Sequence, residues 1–239
     1  VEYGYPKFPT DEAFSEIAVK IFPLQSFKQV ISEIRSNKKV DIWGCFLNGK
    51  DAVDWTIILS NKISQIQLSY PCAYHYAEKF NDDVWHRNNE EEGCIEYFPY
   101  TQKEALNKAM FDFFAYTCFS VVFSAFDIIG QVVNGEYKLG FAITDVSFNK
   151  IVCPKLENIN KNLFDTLNKI KKGDKFESVK LRHSFIHRIP PTELIAFAVK
   201  DKGNVKSLTV GKYVTSKEIM ECMKEAIDCL LETLNAIKN

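Results

Sequence analysis

The chain lacks any pairing pattern among its seven cysteines: Cys45, Cys72, Cys94, Cys118, Cys153, Cys222 and Cys229 are odd in number and scattered, with no Cys-x-x-Cys. That pattern speaks against a disulfide framework and for mostly buried thiols in a reducing compartment. Charge of one sign is also missing. Thirty basic residues stand against thirty-one acidic ones, a formal net charge of -1, so no global field draws the chain to nucleic acid or to an anionic membrane. Any phosphate affinity must come from a local patch. The most apolar run, Phe113 to Phe126, holds fourteen residues between Asp112 and Asp127, short of the roughly 20 that span a bilayer. A central core helix is expected there and no membrane partner. The start, Val1 to Pro6, has neither the basic residues nor the apolar run of a signal peptide, so the cytoplasm is the expected location. Internal repeats, low-complexity segments and linkers are absent too, which favours one domain over 1–239.

What is present is a large apolar fraction, 46% of residues, enough to bury a sizeable core. Its spacing is mostly helical. Thr10-Asp11-Glu12 opens a short helix that Pro23 stops, and Leu24 to Arg35 repeats the pattern. Asn48-Gly49-Lys50 is a turn. Ala52 to Ala77 reads as an amphipathic helix bent or broken at Pro71. From Asn81 to Pro99, with Trp85-His86-Arg87 and three consecutive glutamates, the composition is that of an exposed loop. Thr101-Gln102-Lys103-Glu104 has capping-box form and starts a long helix to about Val133, closed by Asn134-Gly135. Asp127 within it needs a partner if buried, with arginine the natural one, or else faces water.

Tyr137 to Val146 reads equally as strand or short buried helix. A helix over about Asn158 to Lys171 gathers Lys169, Lys171 and Lys172 at its C-terminal end, where the dipole favours cations. Asp174 can cap another helix, which stops at Pro190-Pro191. Leu194 to Val199 and Val205 to Val210 suggest a small hairpin, and Thr215 starts the last helix. The fold class is therefore mainly α, a helical bundle with a small β-hairpin before the last helix.

Two of the four histidines fall in one stretch, Lys180-Leu181-Arg182-His183-Ser184-Phe185-Ile186-His187-Arg188. Histidine exchanges protons near neutral pH and arginine is shaped to hold phosphate, a combination suited to metal-free phosphodiester cleavage. On an ideal helix Arg182 and His187 lie roughly 140° apart. They converge only with help from the long arginine side chain and the helix stop at Pro190. His183 and His187 do share a face, but Ser184 stands where a His-Glu-x-x-His site needs glutamate and no third ligand can be named, so no metal and no cofactor are expected. On residue types alone, a phosphate site and a helix end whose cations offset its dipole remain equal alternatives.

The pattern from Arg182 to His187 resembles the signature of the HEPN superfamily: arginine, a polar residue, three or four variable positions, histidine. The resemblance implies an all-helical bundle of HEPN type, with 101–239 as core and 1–100 as extra N-terminal helices packed on it. It implies Arg182 and His187 as catalytic pair, His183 and Arg188 in support, and two protomers facing their motifs into one cleft. Active members are metal-independent endoribonucleases, many in toxin-antitoxin, defence or RNA-processing systems. The implied partners are single-stranded RNA, a second copy of the chain and a cognate antitoxin protein. The alternative is a non-catalytic module that uses the same cationic cleft to bind RNA, a nucleotide or a protein.

Overall fold

The structure, a computed structural model, describes residues 7–37, 52–82, 87–89, 94–96, 100–181, 196–201, 204–210 and 213–238. Helix α1 (Asp11–Ile21) starts at Thr10, whose Oγ1 accepts the Ala13 amide at 3.3 Å. Helix α2 (Leu24–Asn37) follows Pro23, and α3 (Ala52–Ala77) runs unbroken through Pro71. Arg35 of α2 donates from Nε to Thr56 Oγ1 and from Nη2 to the Thr56 carbonyl, both at 3.1 Å, which fastens α2 to α3. The Asn48-Gly49-Lys50 turn lies outside the described residues.

Helix α4 (Gln102–Glu136) is the centre of the molecule, and α3 packs along it more extensively than any other pair of helices packs. Tyr76 stacks on Phe114 with ring centroids 5.8 Å apart, and Phe80 meets Phe111 at 5.7 Å. Half of the most apolar window of α4 is buried within the protein, with Ala115, Phe119, Phe126 and Ile129 in the core. That packing is what a core helix requires of an apolar sequence.

The expected stop at Asn134-Gly135 does not occur; α4 continues to Glu136. Asn134 instead exchanges two hydrogen bonds with the Phe141 backbone, at 3.0 and 3.1 Å, and holds the following turn. Residues from Tyr137 to Val146 are neither strand nor buried helix. Lys138 and Gly140 take positive φ, and only a 3-10 turn forms over Ile143–Asp145. The chain then crosses α4 at Gly130, where a Cβ would sit 3.1 Å from the Ser147 carbonyl carbon, so any larger residue would have to push the crossing chain outward by a few tenths of an ångström. Asp127 accepts the Phe148 amide at 3.4 Å on the same face.

Helix α5 (Phe148–Ile151) and the expected helix over 158–171 follow, the latter divided into α6 (Pro154–Ile159) and α7 (Lys161–Lys172). The division falls at Asn160, whose Oδ1 caps α7 by accepting the Leu163 amide at 3.0 Å. A side chain that competes for backbone donors favours a helix end over a helix interior. Helix α8 (Asp174–Lys180) comes next, and α9 (Ser216–Ile237) packs against α8, α4 and α7.

Two antiparallel ribbons accompany the helices. Strand β1 (Arg87–Asn89) pairs with β2 (Cys94–Glu96), inside the stretch expected to be loop alone. Strand β3 (Ala196–Asp201) pairs with β4 (Asn204–Val210), with a register irregularity at Val199/Lys200. Trp85, His86, the three glutamates at 90–92 and the turn at Lys202-Gly203 lie outside the described residues.

Capping boxes start both α4 and α9. Thr215 Oγ1 accepts the Glu218 amide at 3.2 Å and Glu218 accepts the Thr215 amide at 2.8 Å; Thr101 and Glu104 repeat the arrangement. Thr215→Ala is expected to cost about 1 kcal/mol in urea unfolding, and Thr215→Ser a few tenths at most.

Cys72, Cys118 and Cys229 behave as core groups. Burial pushes Cys118 and Cys229 from an ordinary 9.0 up to about 12 and Cys72 up to about 11. The unfolded chain releases these protons near 9.0 while the folded chain holds them, so their contribution to stability is full below that pH and declines as pH rises towards 12. Mass-spectrometric mapping after brief iodoacetamide treatment of the native protein at mildly alkaline pH should find Cys118 and Cys229 unmodified, and modified once urea is added.

Candidate functional site

Arg182, His183, His187 and Arg188 lie outside the described residues, as do Pro190 and Pro191. What the structure defines is how the chain is held on either side of them. Upstream, α8 ends at Lys180, and the Leu181 amide donates to the Ser178 carbonyl at 3.2 Å. Phe176 of α8 is buried in a three-ring cluster: its centroid lies 5.3 Å from Phe126 of α4 and 5.3 Å from Phe148 of α5, themselves 5.0 Å apart. Such tilted and edge-on rings add to area burial alone. Ser178 donates to Glu225 Oε2 of α9 at 2.6 Å. Lys180, the last cation before the motif, pairs with Glu177 and lies over the Phe176 ring at 5.6 Å. The helix expected to be capped by Asp174 has Gly173 as its N-cap instead, with Asp174 as its first residue, and it is described for seven residues.

Downstream, Tyr213 is buried just ahead of α9. Its hydroxyl donates to Asp82 Oδ2 at 2.8 Å, and the Ser216 amide and hydroxyl donate to the same carboxylate at 2.6 and 2.8 Å. Asp82 is only 3% exposed. It sits beyond the end of α3 yet occupies the N-terminal turn of α9, where three donors and the helix dipole compensate a buried negative charge. Tyr100 lies beside this group. Burial, reinforced by the adjacent Asp82 carboxylate, raises both Tyr100 and Tyr213 well above their ordinary 10.0, so both phenols remain donors at any physiological pH.

Leu181, which packs against the core, and Tyr213, bonded to the buried Asp82, thus flank the stretch that contains the motif and the β3–β4 ribbon. Asp82 escaped sequence reasoning because Asn81-Asp82-Asp83 has the composition of an exposed turn. Its partners lie 131 and 134 residues away, and no local pattern records them. The acidic residue at the end of a helix is the only local signal it leaves.

Among the described residues no group of three or more His, Cys, Asp or Glu side chains is arranged to hold a metal ion. The molecule is of the class of mainly helical bundles built on one long central helix, with a cationic, histidine-bearing segment inserted between two late helices. A family model described as HEPN_Cthe2314-like HEPN matches residues 55–238, from within α3 to the end of α9, and the chain belongs to that family. The match takes in α3 as well as everything from α4 onward, and leaves α1 and α2 outside it. Searches among curated proteins and among solved structures found no match.

Proposed function

We propose that the protein is a metal-independent endoribonuclease that cleaves single-stranded RNA at a site shared by two copies of the chain. The observation that carries the proposal is the position of the Arg182-to-His187 pattern inside the segment matched by the HEPN family model. The firm anchoring of both flanks, at Phe176 and at Asp82, supports it, because a catalytic group must be held close to its productive geometry.

In the proposed reaction a histidine, His187, takes the proton of a ribose 2'-hydroxyl as O2' attacks the adjacent phosphorus. The bond from phosphorus to O5' breaks, and the leaving oxygen receives a proton from the acid partner across the cleft. Arg182 holds the phosphoryl oxygens as negative charge grows on them. His183 and Arg188 support that pair. The products are a 2',3'-cyclic phosphate and a 5'-hydroxyl, so atoms and electrons balance without metal or redox partner.

A toxin-antitoxin or defence role, with a cognate antitoxin protein, is the proposed setting. The full-length protein incubated with single-stranded RNA in EDTA, beside Arg182→Ala and His187→Ala checked for folding by circular dichroism, is the test. Cleavage by the parent and its loss in both variants is expected. RNA left intact by the parent, with salt-dependent binding retained, replaces the proposal by the non-catalytic binding module.

A further inference from the structure

The junction of α7 and α8, just ahead of the motif, carries charge that the overall balance conceals. From Lys150 to Lys180 there are eight lysines and four acidic residues, in a chain whose formal net charge is -1. Two of the acids are taken locally: Glu157 pairs with Lys161 at 3.3 Å, and Glu177 pairs with Lys180. Lys169 and Lys172 share the exposed face of the last turn of α7 and make no ion pair with any described residue. Lys171 donates to the Asn149 carbonyl at 3.1 Å, which brings Lys150 of α5 alongside. Lys175 begins the next helix.

The dipole at the end of α7 favours one or two cations, but it does not account for their continuation onto α5 and α8. Their remaining contacts are loose. Lys150 reaches Asp145 only at 4.0 Å and Lys175 reaches Glu232 at 3.7 Å, all four side chains more than half exposed. Exposed pairs of this kind contribute little, so a polyanion can displace them. Of the apolar residues of α7, Leu163, Leu167 and Ile170 are buried and Phe164 packs against the core, which leaves its outer face polar, without the apolar side chains that an amphipathic helix inserts into a lipid surface.

We infer that Lys150, Lys169, Lys171, Lys172 and Lys175 form a docking track for the phosphates of a single-stranded RNA. Helix α8 spans about 10 Å from this cluster to Leu181, so a strand lying on the lysines has its neighbouring phosphates within reach of Leu181, where the motif begins in sequence. The inference rests on the proposed reading of the motif for the identity of the polyanion, and the lysines act by binding and not in the bond-breaking step.

The test is a salt titration with an uncleavable probe, a 2'-O-methyl oligoribonucleotide of about 20 nucleotides, and the full-length protein. Each single-strand phosphate contact contributes about 0.7 to the slope of log affinity against log salt. The Lys150→Gln/Lys169→Gln/Lys172→Gln variant, which spares the hydrogen-bonded Lys171, is expected to lower the slope by about 2 and the affinity roughly tenfold at low salt. The corresponding triple arginine variant should bind like the parent. An unchanged slope in the glutamine variant overturns the inference, as does lysine-dependent binding to phosphatidylserine vesicles without binding to the oligonucleotide.

Cleavage of unmodified RNA is scored separately. A parent protein that does not cleave but binds through these lysines removes the nuclease reading and leaves the track. One that cleaves with binding indifferent to them removes the track alone.

Discussion

Asp82→Ala is expected to destabilise the protein by about 3–5 kcal/mol, because several buried neutral donors lose a charged acceptor at once. The carboxylate receives the Tyr213 hydroxyl and both the amide and the hydroxyl of Ser216 within 2.8 Å, at a position only 3% exposed. Its loss takes the acceptor from three buried donors, of which Tyr213 keeps its contact with Tyr100, and each donor left unsatisfied costs about 1–3 kcal/mol. Against a typical total stability of about 5–15 kcal/mol, that is a large share. Tyr213→Phe removes one donor and leaves the carboxylate its other two, so about 1–2 kcal/mol is expected. Urea unfolding followed by circular dichroism measures both. A loss below about 1 kcal/mol for Asp82→Ala would mean that the group is hydrated, contrary to the burial described.

The second large effect concerns the motif. His187→Ala is expected to lower the rate of RNA cleavage about 10²–10⁴-fold, the usual contribution of a positioned proton-transfer group. Arg182→Ala is expected to lower it about 10²–10³-fold through lost stabilisation of the phosphoryl oxygens. Neither should move the urea midpoint much, because the core anchors are Phe176, Ser178 and Asp82. The parent's rate should rise with pH as one histidine loses its proton and fall as the acid partner loses its own. A rate independent of pH would count against His187 as the proton-transfer group.

Much of the fold is legible in the sequence where local chemistry sets the outcome. Thr10, Thr101 and Thr215 mark helix starts because a hydroxyl one turn ahead of an apolar stripe satisfies a free amide. The apolar middle of α4 marks the core, but neighbours cover only half of its most apolar window and leave Phe113 and Tyr116 exposed. What is not legible depends on residues far away in the chain. Gly135 reads as a stop, but the helix runs past it because Asn134 turns its side chain to the Phe141 backbone. Asn160 divides one periodic stretch in two by capping its second half. Asp82 is a buried hub whose partners lie more than a hundred residues downstream. For the candidate site, residue types leave a phosphate site and a helix end as equal alternatives and only the resemblance to the HEPN signature points to Arg182 and His187, whereas the lysines ahead of them read locally as cations at a helix end. Their continuity across three elements emerges only when α5, α7 and α8 are seen together.

The central claim is that Arg182 and His187 cleave RNA by attack of its own 2'-hydroxyl. Analysis of the ends left after incubating single-stranded RNA with the full-length protein in EDTA tests it most directly. The account predicts 2',3'-cyclic phosphate and 5'-hydroxyl ends from the parent protein, and neither from Arg182→Ala or His187→Ala. Ends bearing a 5'-phosphate, or equal cleavage by the parent and both variants, would contradict it.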